Sequence, residues 1–309
     1  MSSDTRETRI SALGYDYAAQ EKSFIEECNL CGSSQWTILT HRDRYGFPAQ
    51  STLCDACGLV VINPRMSEAA YGKFYESVYR PLVSAYHGRL IDATTVQGDQ
   101  HTYAEEMKSF VAPFVKQGST FLDVGGSTGI IAAHFTKTFD FKCTLIDPAP
   151  DEVAEARALG IESIEGFMET WDPGGRTFDV IGLFQTIDHL LDVKTTLAKI
   201  RDVITDDGFF VVDVVDFRAS FLKNASVEMA TKIDHPYSLV EETSEAYLAR
   251  AGFKILRRAY SADHHLVAYI CSPCDPQPDA MPPVGFIDAQ RRELRFVQNA
   301  AAALQSTSS

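Results

Sequence analysis

With 309 residues, 45% of them hydrophobic and 23% charged, the chain has material for one large globular domain and a small one, or for two domains. No run approaches about 18 consecutive apolar residues, which excludes a membrane-spanning helix, and the polar stretch 1–20 lacks the apolar core of a secretion signal. The formal net charge of −14 speaks against a broad electrostatic grip on nucleic acid, which needs a basic face.

Residues 1–23 read as a flexible lead-in. Segment 24–66 then opens on Cys28-Asn-Leu-Cys31-Gly32 and closes around Cys54-Asp-Ala-Cys57-Gly58. A glycine after each pair permits the tight knuckle that aims two thiolates at one ion. Two such knuckles complete a closed tetrahedral sulfur site, the geometry of structural zinc; an iron site or a redox pair is the alternative. With no open position for water, such a metal holds the fold and does no chemistry. The odd total of seven cysteines, four of them in these pairs, fits a reducing compartment better than a disulfide framework, so cytoplasm is the expected location. Between and after the knuckles, 36–39, 51–53 and 58–62 read as strands of a small ribbon. The ribbon carries three Arg against two Asp from Cys28 to Met66, which is no basic patch.

Residues 67–117 read as a helical connector or lid. Ser67 is placed to cap a helix. Tyr71, Phe74, Tyr75, Tyr79 and Tyr86 either pack this segment down or, through Tyr79, Arg80 and Tyr86, border an acceptor pocket. The helix before the first strand of the next domain is expected over 100–117.

Domain 118–274 begins with a buried strand, 120–124. It breaks into Gly125-Gly126-Ser127-Thr128-Gly129 and continues as a helix over 130–139. Glycines allow backbone angles closed to other residues, and the turn delivers its amides at a helix N-terminus, a place suited to a carboxylate or phosphate. A second strand, 141–146, ends on Asp147-Pro148, where an acid can take both hydroxyls of a ribose. Together these features indicate a nucleoside-containing cofactor. No frame of the turn gives the Gly-x-Gly-x-x-Gly of dinucleotide binders. A helix over 151–159, a third strand over 161–165 with Phe167 and Met168 beyond it, and a fourth strand over 178–184 follow. Gln185, Asp188 and His189 lie at the carboxyl end of that fourth strand, where open parallel sheets bind ligands. A helix over 192–204, a fifth strand over 208–214 and an amphipathic helix over 241–251 come next. The β-rich runs 253–260 and 265–271 are joined by a connection too short for a parallel crossover, so they form an antiparallel pair. Cys143 falls in a buried strand, and Cys271 and Cys274 have no partner pair. The Pro-rich stretch after Cys274 reads as a linker, with a terminal helix over 288–304 completing segment 275–309.

The run Asp123-x-Gly125-x-Ser127-x-Gly129 resembles motif I of the class I S-adenosylmethionine (SAM) methyltransferases, with Ser127 at the place of the middle glycine. The order of the two cysteine knuckles, Gly58-Leu-Val-Val-Ile-Asn63-Pro64-Arg65, motif I, Asp188-His189 and His235-Pro-Tyr237 is similar to one bacterial group of these enzymes. Members carry an N-terminal zinc-binding segment and often serve sugar, polysaccharide or natural-product pathways. The likeness covers roughly residues 28–272. It implies a Rossmann-like α/β fold: a seven-stranded, mostly parallel sheet with an antiparallel terminal hairpin, plus the N-terminal zinc ribbon. It also implies that Asp123, Gly125, Gly126, Ser127 and Gly129 hold the methionine end of SAM and that Asp147 and Pro148 hold the ribose. Phe167 and Met168 cover the adenine or belong to the core, and Gln185 lies beside the cofactor. The acceptor is expected to be a small molecule, a hydroxyl of a sugar, nucleotide-sugar or related metabolite, methylated by direct displacement, with carbon and nitrogen acceptors left open. His189 and His235 are the candidate general bases, ahead of His264 and His265, with Asp188 orienting His189 or capping the next loop. An RNA methyltransferase docking through its ribbon and a non-catalytic SAM-binding protein are the alternatives. Oligomeric state is not legible.

Overall fold

The structure, a computed structural model, describes residues 5–91 and 93–306. Where the sequence suggests a flexible lead-in, residues Arg6–Ser11 form helix α1, capped by the Thr5 hydroxyl. Ile10 and Tyr17 are buried among Tyr45, Phe74 and Leu82, because two large apolar side chains this close to a helix find partners on the lid. The ribbon follows as an antiparallel meander of β1 (Trp36–Thr40), β2 (Ser51–Cys54) and β3 (Val60–Ile62). Three helices make the connector. Helix α2 (Glu68–Ser77) starts at Ser67, whose Oγ accepts from the Ala70 amide. Helix α3 (Tyr79–His87) stops at Gly88 in the left-handed region, φ 66°. Helix α4 is Ala93–Val111, earlier at both ends than the sequence suggests.

The chain then alternates strand and helix: β4 (Thr120–Val124), α5 (Ile130–Phe139), β5 (Lys142–Asp147), α6 (Pro150–Ala158), β6 (Glu162–Glu165), β7 (Phe178–Leu183), α7 (Val193–Val203) and β8 (Ile204–Val215). After α8 (Phe217–Asn224) comes the two-residue strand β9 (Tyr237–Ser238), then α9 (Glu241–Arg250), β10 (Phe253–Tyr260), β11 (Leu266–Pro273) and the terminal α10 (Phe286–Ser306). Among the described residues the central sheet has seven strands in the order β10-β11-β8-β7-β4-β5-β6. Strands β4 to β8 run parallel, while β11 pairs antiparallel with both β8 and β10. Strand β8 starts four residues before the expected Gly208. Asp206-Asp207-Gly208 forms an irregularity inside the strand rather than a turn before it, so the register against β7 shifts between Ile204 and Phe209.

Strand side chains alternate between the faces of the sheet. Phe121 points to the side covered by α4, α5 and α6, with Phe110, Phe135 and Val153. Leu122 and Val124 point to the side covered by α7 and α9, with Leu197 and Tyr247. Cys28, Leu30, Leu59 and Val61 of the ribbon belong to that second cluster, so ribbon and sheet share one core. Helix α10 covers the ribbon's other side, with Phe286, Leu294 and Val297 packed on Leu53, Val60 and Phe221. No helix among the described residues is long and apolar enough to cross a membrane.

Phe135 is fully buried, with ring centroids of Phe121, Phe139, Phe141 and Phe184 5.4–6.1 Å away. Phe135→Ala therefore lowers unfolding free energy by about 3–5 kcal/mol, to be read from urea denaturation; a loss under ~1 kcal/mol would contradict this core assignment.

Candidate active site

The strand order reverses around β4, with β5 and β6 on one side and β7 and β8 on the other, and the functional residues gather at the carboxyl ends of these strands. The turn after β4 needs its glycines twice over. Gly125 and Gly129 sit at φ 70° and 76°, and a side chain on either would collide with Thr186 or Ala156 at 2.5–2.8 Å. Ser127 adopts φ 50° without being glycine. Its amide donates to Asp147 Oδ2 (3.0 Å) and its hydroxyl to Glu152 Oε2 (2.8 Å), in the first turn of α6. Helix α5 opens on Gly129 with no side-chain cap, so its first amides face the turn.

Two acids serve this turn. Asp147 ends β5 and also accepts from the Ala149 amide at 2.9 Å. Burial pushes its carboxyl up to about 6, against the pull of the two amides. Asp123 is fully buried beneath the turn, with neither carboxylate oxygen hydrogen-bonded. Burial, then the charge of Asp147, pushes it up to about 7. A buried acceptor with no donor beside open helix amides fits an amino-acid end, whose ammonium and carboxylate supply the missing charges. Of the adenine candidates, Phe167 is 39% exposed, whereas Met168 is buried in the core with Leu122 and Ile146. Pro148 and Gln185 are exposed. Gln185 is held at φ 50° by its amide bond to Asp213 Oδ1, and Tyr103 donates to Asp213 Oδ2 at 2.8 Å. Asp213 was legible only as a lone acid in the apolar run 209–215.

Beyond β7 a 3-10 turn, Ile187–His189, carries the next residues. Asp188 does not orient His189: its Oδ2 lies 2.6 Å from Nδ1 of His235, and the two imidazole centroids are 4.3 Å apart. His189 Nδ1 instead lies 2.9 Å from the Tyr75 hydroxyl, which donates to the Asp234 carbonyl at 3.1 Å. A phenol has one proton to give, so its oxygen accepts from Nδ1–H of His189, leaving Nε2 of that ring as an acceptor. Asp234 is fully buried and paired with Lys232 Nζ at 3.1 Å. Burial lowers His235 to about 4 despite the opposing pull of Asp188, and lowers His189 as well. Burial would raise the Asp188 carboxyl, but His235 and its neighbours outweigh it and hold it below the usual carboxylate range. Both imidazoles are thus neutral near pH 7. Donor atoms of Asp188, His189 and His235 lie within 4.8 Å of one another, but Lys232 already brings a cation to this cluster and would repel a metal ion. Of the predicted pocket-bordering residues, Tyr79 stands beside His189, with centroids 6.2 Å apart. Arg80 bonds Glu152, and Tyr86 lies apart, against Tyr45 and Arg6. His264 and His265 sit in the β10–β11 turn.

The four ribbon cysteines converge. Sγ of Cys28 and Cys57 are 3.5 Å apart, those of Cys31 and Cys54 3.6 Å, and all four lie within 4.8 Å. Tetrahedral ligation at about 2.3 Å per sulfur requires sulfur separations of about 3.8 Å, so the set fits zinc. The knuckle turns close through Gly32 N to Cys28 O and Gly58 N to Cys54 O, with both glycines at φ near 78°. Asn29, inside the first knuckle, donates to Asp192 and accepts from Tyr247 and the Lys194 amide, fastening the ribbon to α7 and α9.

A family model described as a methyltransferase domain matches residues 98–258, more than half of the chain. No curated protein matches it. Among solved structures the chain is similar to a SAM-dependent methyltransferase from Clostridium acetobutylicum (15% identity, 66% of this chain and 99% of that one, TM-score 0.47). It is also similar to the PH0226 protein from Pyrococcus horikoshii (17%, 56% and 91%, TM-score 0.48) and to DesVI from Streptomyces venezuelae (17%, 57% and 92%, TM-score 0.47). Since the family model spans both the glycine turn and the acid–histidine end of β7, the chain belongs to the methyltransferase-domain family, as a class I SAM-dependent enzyme.

Proposed function

We propose that this enzyme methylates an oxygen of a small-molecule acceptor, a hydroxyl of a sugar, nucleotide-sugar or related metabolite, with His235 as general base and zinc as a structural ion in the four-cysteine site. The observation that carries this reading is the Asp188–His235 pair: a buried, neutral imidazole with a carboxylate 2.6 Å from one nitrogen, that carboxylate standing beyond β7, the strand paired with the one that ends in the glycine turn. When bound, SAM supplies a methyl group already activated for displacement. Asp123 and the amides of the turn 125–129 hold its amino-acid end, Asp147 its ribose, and Phe167 borders the adenine, while Met168 backs the site from the core. His235 Nε2 takes the acceptor proton, and Asp188 stabilises the imidazolium as it forms, an arrangement worth about 10²–10⁴-fold in rate. His189, fixed in one tautomer by Tyr75, accepts a second hydroxyl of the acceptor. An acceptor with adjacent hydroxyls suits two neighbouring imidazoles walled by Tyr75 and Tyr79. The four-cysteine ion takes no part in the chemistry, because a closed sulfur shell offers no position for substrate.

Three outcomes test this. Asp147→Ala loses at least tenfold in SAM affinity by calorimetry, since hydrogen bonds to a charged group contribute about 1.5–3 kcal/mol each, with far-ultraviolet circular dichroism unchanged; wild-type affinity would remove the ribose role. His235→Gln lowers kcat by about 10²–10⁴-fold with SAM binding retained. In the wild type the base form persists until pH falls through about 4, so the acid limb of kcat/KM lies well below pH 6.5, and a limb at 6.5–7 would exclude His235 as the base. The double substitution Cys54→Ser and Cys57→Ser eliminates one zinc per chain by mass spectrometry and makes the protein insoluble or thermally labile; a stable, zinc-free variant would contradict the structural role.

A further inference from the structure

We propose that Arg80 is a positioning residue for the cofactor: with Glu152 it forms a latch through which the lid helix α3 holds the glycine turn closed over the ligand. This rests on the reading that the turn 125–129 and Asp147 hold SAM. The contacts run in an unbroken series. The Arg80 guanidinium bonds Oε1 of Glu152. Glu152 Oε2 accepts from the Ser127 hydroxyl at 2.8 Å, and the Ser127 amide donates to Asp147 Oδ2 at 3.0 Å. The two side chains of the ion pair are 30% and 16% exposed, so the pair is better shielded than an ordinary surface salt bridge.

Ser127 is the telling member. Its φ of 50° is one that glycine adopts freely and other residues reach only against steric strain. A serine there makes sense for what its hydroxyl reaches, and that is the carboxylate the lid also grips. The placement of Arg80 adds a second argument. Tyr79, its neighbour at the start of α3, stands beside His189, and Tyr75 of α2 bonds the same histidine. One short stretch of lid thus touches the acid–histidine cluster with one residue and, with the next, reaches the glycine turn through Glu152. A ligand seated on Asp147 leaves only after the Arg80–Glu152 contact opens, and the closed lid brings the two halves of the site together.

The test is the dissociation rate of SAM and of S-adenosylhomocysteine from the full-length, zinc-loaded enzyme, read by chasing radiolabelled ligand. Arg80→Ala and Glu152→Gln each speed release about five- to tenfold, the scale of one partly shielded charged contact, and Ser127→Gly speeds it less. The double variant Arg80→Ala with Glu152→Gln releases ligand no faster than the faster of the two singles, the non-additivity that one shared contact requires and that two independent losses of stability would not give. Release within twofold of wild type in both Arg80→Ala and Glu152→Gln, or singles that are fast with effects that multiply in the double variant, would overturn the latch. If Asp147→Ala still abolishes binding in that case, the latch alone fails; if Asp147→Ala binds normally, the cofactor reading fails with it.

Discussion

Two residues of backbone pairing decide where His235 stands. Tyr237 and Ser238 add a fourth strand to the ribbon, opposite Val61 and Val60, and the Ile62 amide bonds the Pro236 carbonyl at 3.0 Å. His235 is therefore carried on the edge of the ribbon sheet, while its partner Asp188 is carried on the end of β7 in the central sheet. The 2.6 Å approach between them exists only because the two sheets share a core through Leu59, Val61, Leu183 and Ile187. The four converging cysteines beside β2 and β3 thus lie one strand of hydrogen bonds from the Asp188–His235 pair, and the ribbon is as much a part of the candidate site as the glycine turn.

Burial tunes the acid–base groups. Asp123, Asp188, Asp213 and Asp234 are all essentially inaccessible, yet they move in opposite directions. Asp123 lies under a turn with no hydrogen-bond donor, and desolvation dominates; Asp213 has two donors, and desolvation still dominates. Asp188 and Asp234 share their space with two imidazoles and Lys232, and the positive field outweighs desolvation. Carboxyls pushed apart in this way sort themselves into those poised near neutrality, under the glycine turn and on β8, and those kept ionised beside the histidines.

What the sequence reveals and what it hides divide along separation in the chain. The knuckles at Cys28–Cys31 and Cys54–Cys57, the turn 125–129 and the acid at Asp147 are legible because backbone geometry imposes their spacing locally. The closing antiparallel pair is legible because a four-residue connection permits nothing else. The contact of Asp188 with His235 is not legible, since spacing along the chain offers His189 or the next loop as its partner and His235 is carried on another sheet. Asp234 and Lys232 carry no signal, and Tyr75 shows only as one of several lid aromatics: each acts through a contact made by packing, such as Tyr75 with His189, 114 positions away. Glu152 stands in the first turn of a helix, where an acid needs no further explanation, so its bonds to Arg80 and Ser127 are not legible from sequence.

The terminal helix α10 has a consequence for how the molecule is made. Arg291 pairs with Asp55, 236 positions earlier and between two of the clustered cysteines, and Gln298 bonds the Leu39 carbonyl. Together with the strand at 237–238, these contacts leave the ribbon half-built until nearly the whole polypeptide has emerged from the ribosome. Contacts of such long range form late, so nascent chains carry the thiols of both cysteine pairs on an unfinished sheet during synthesis.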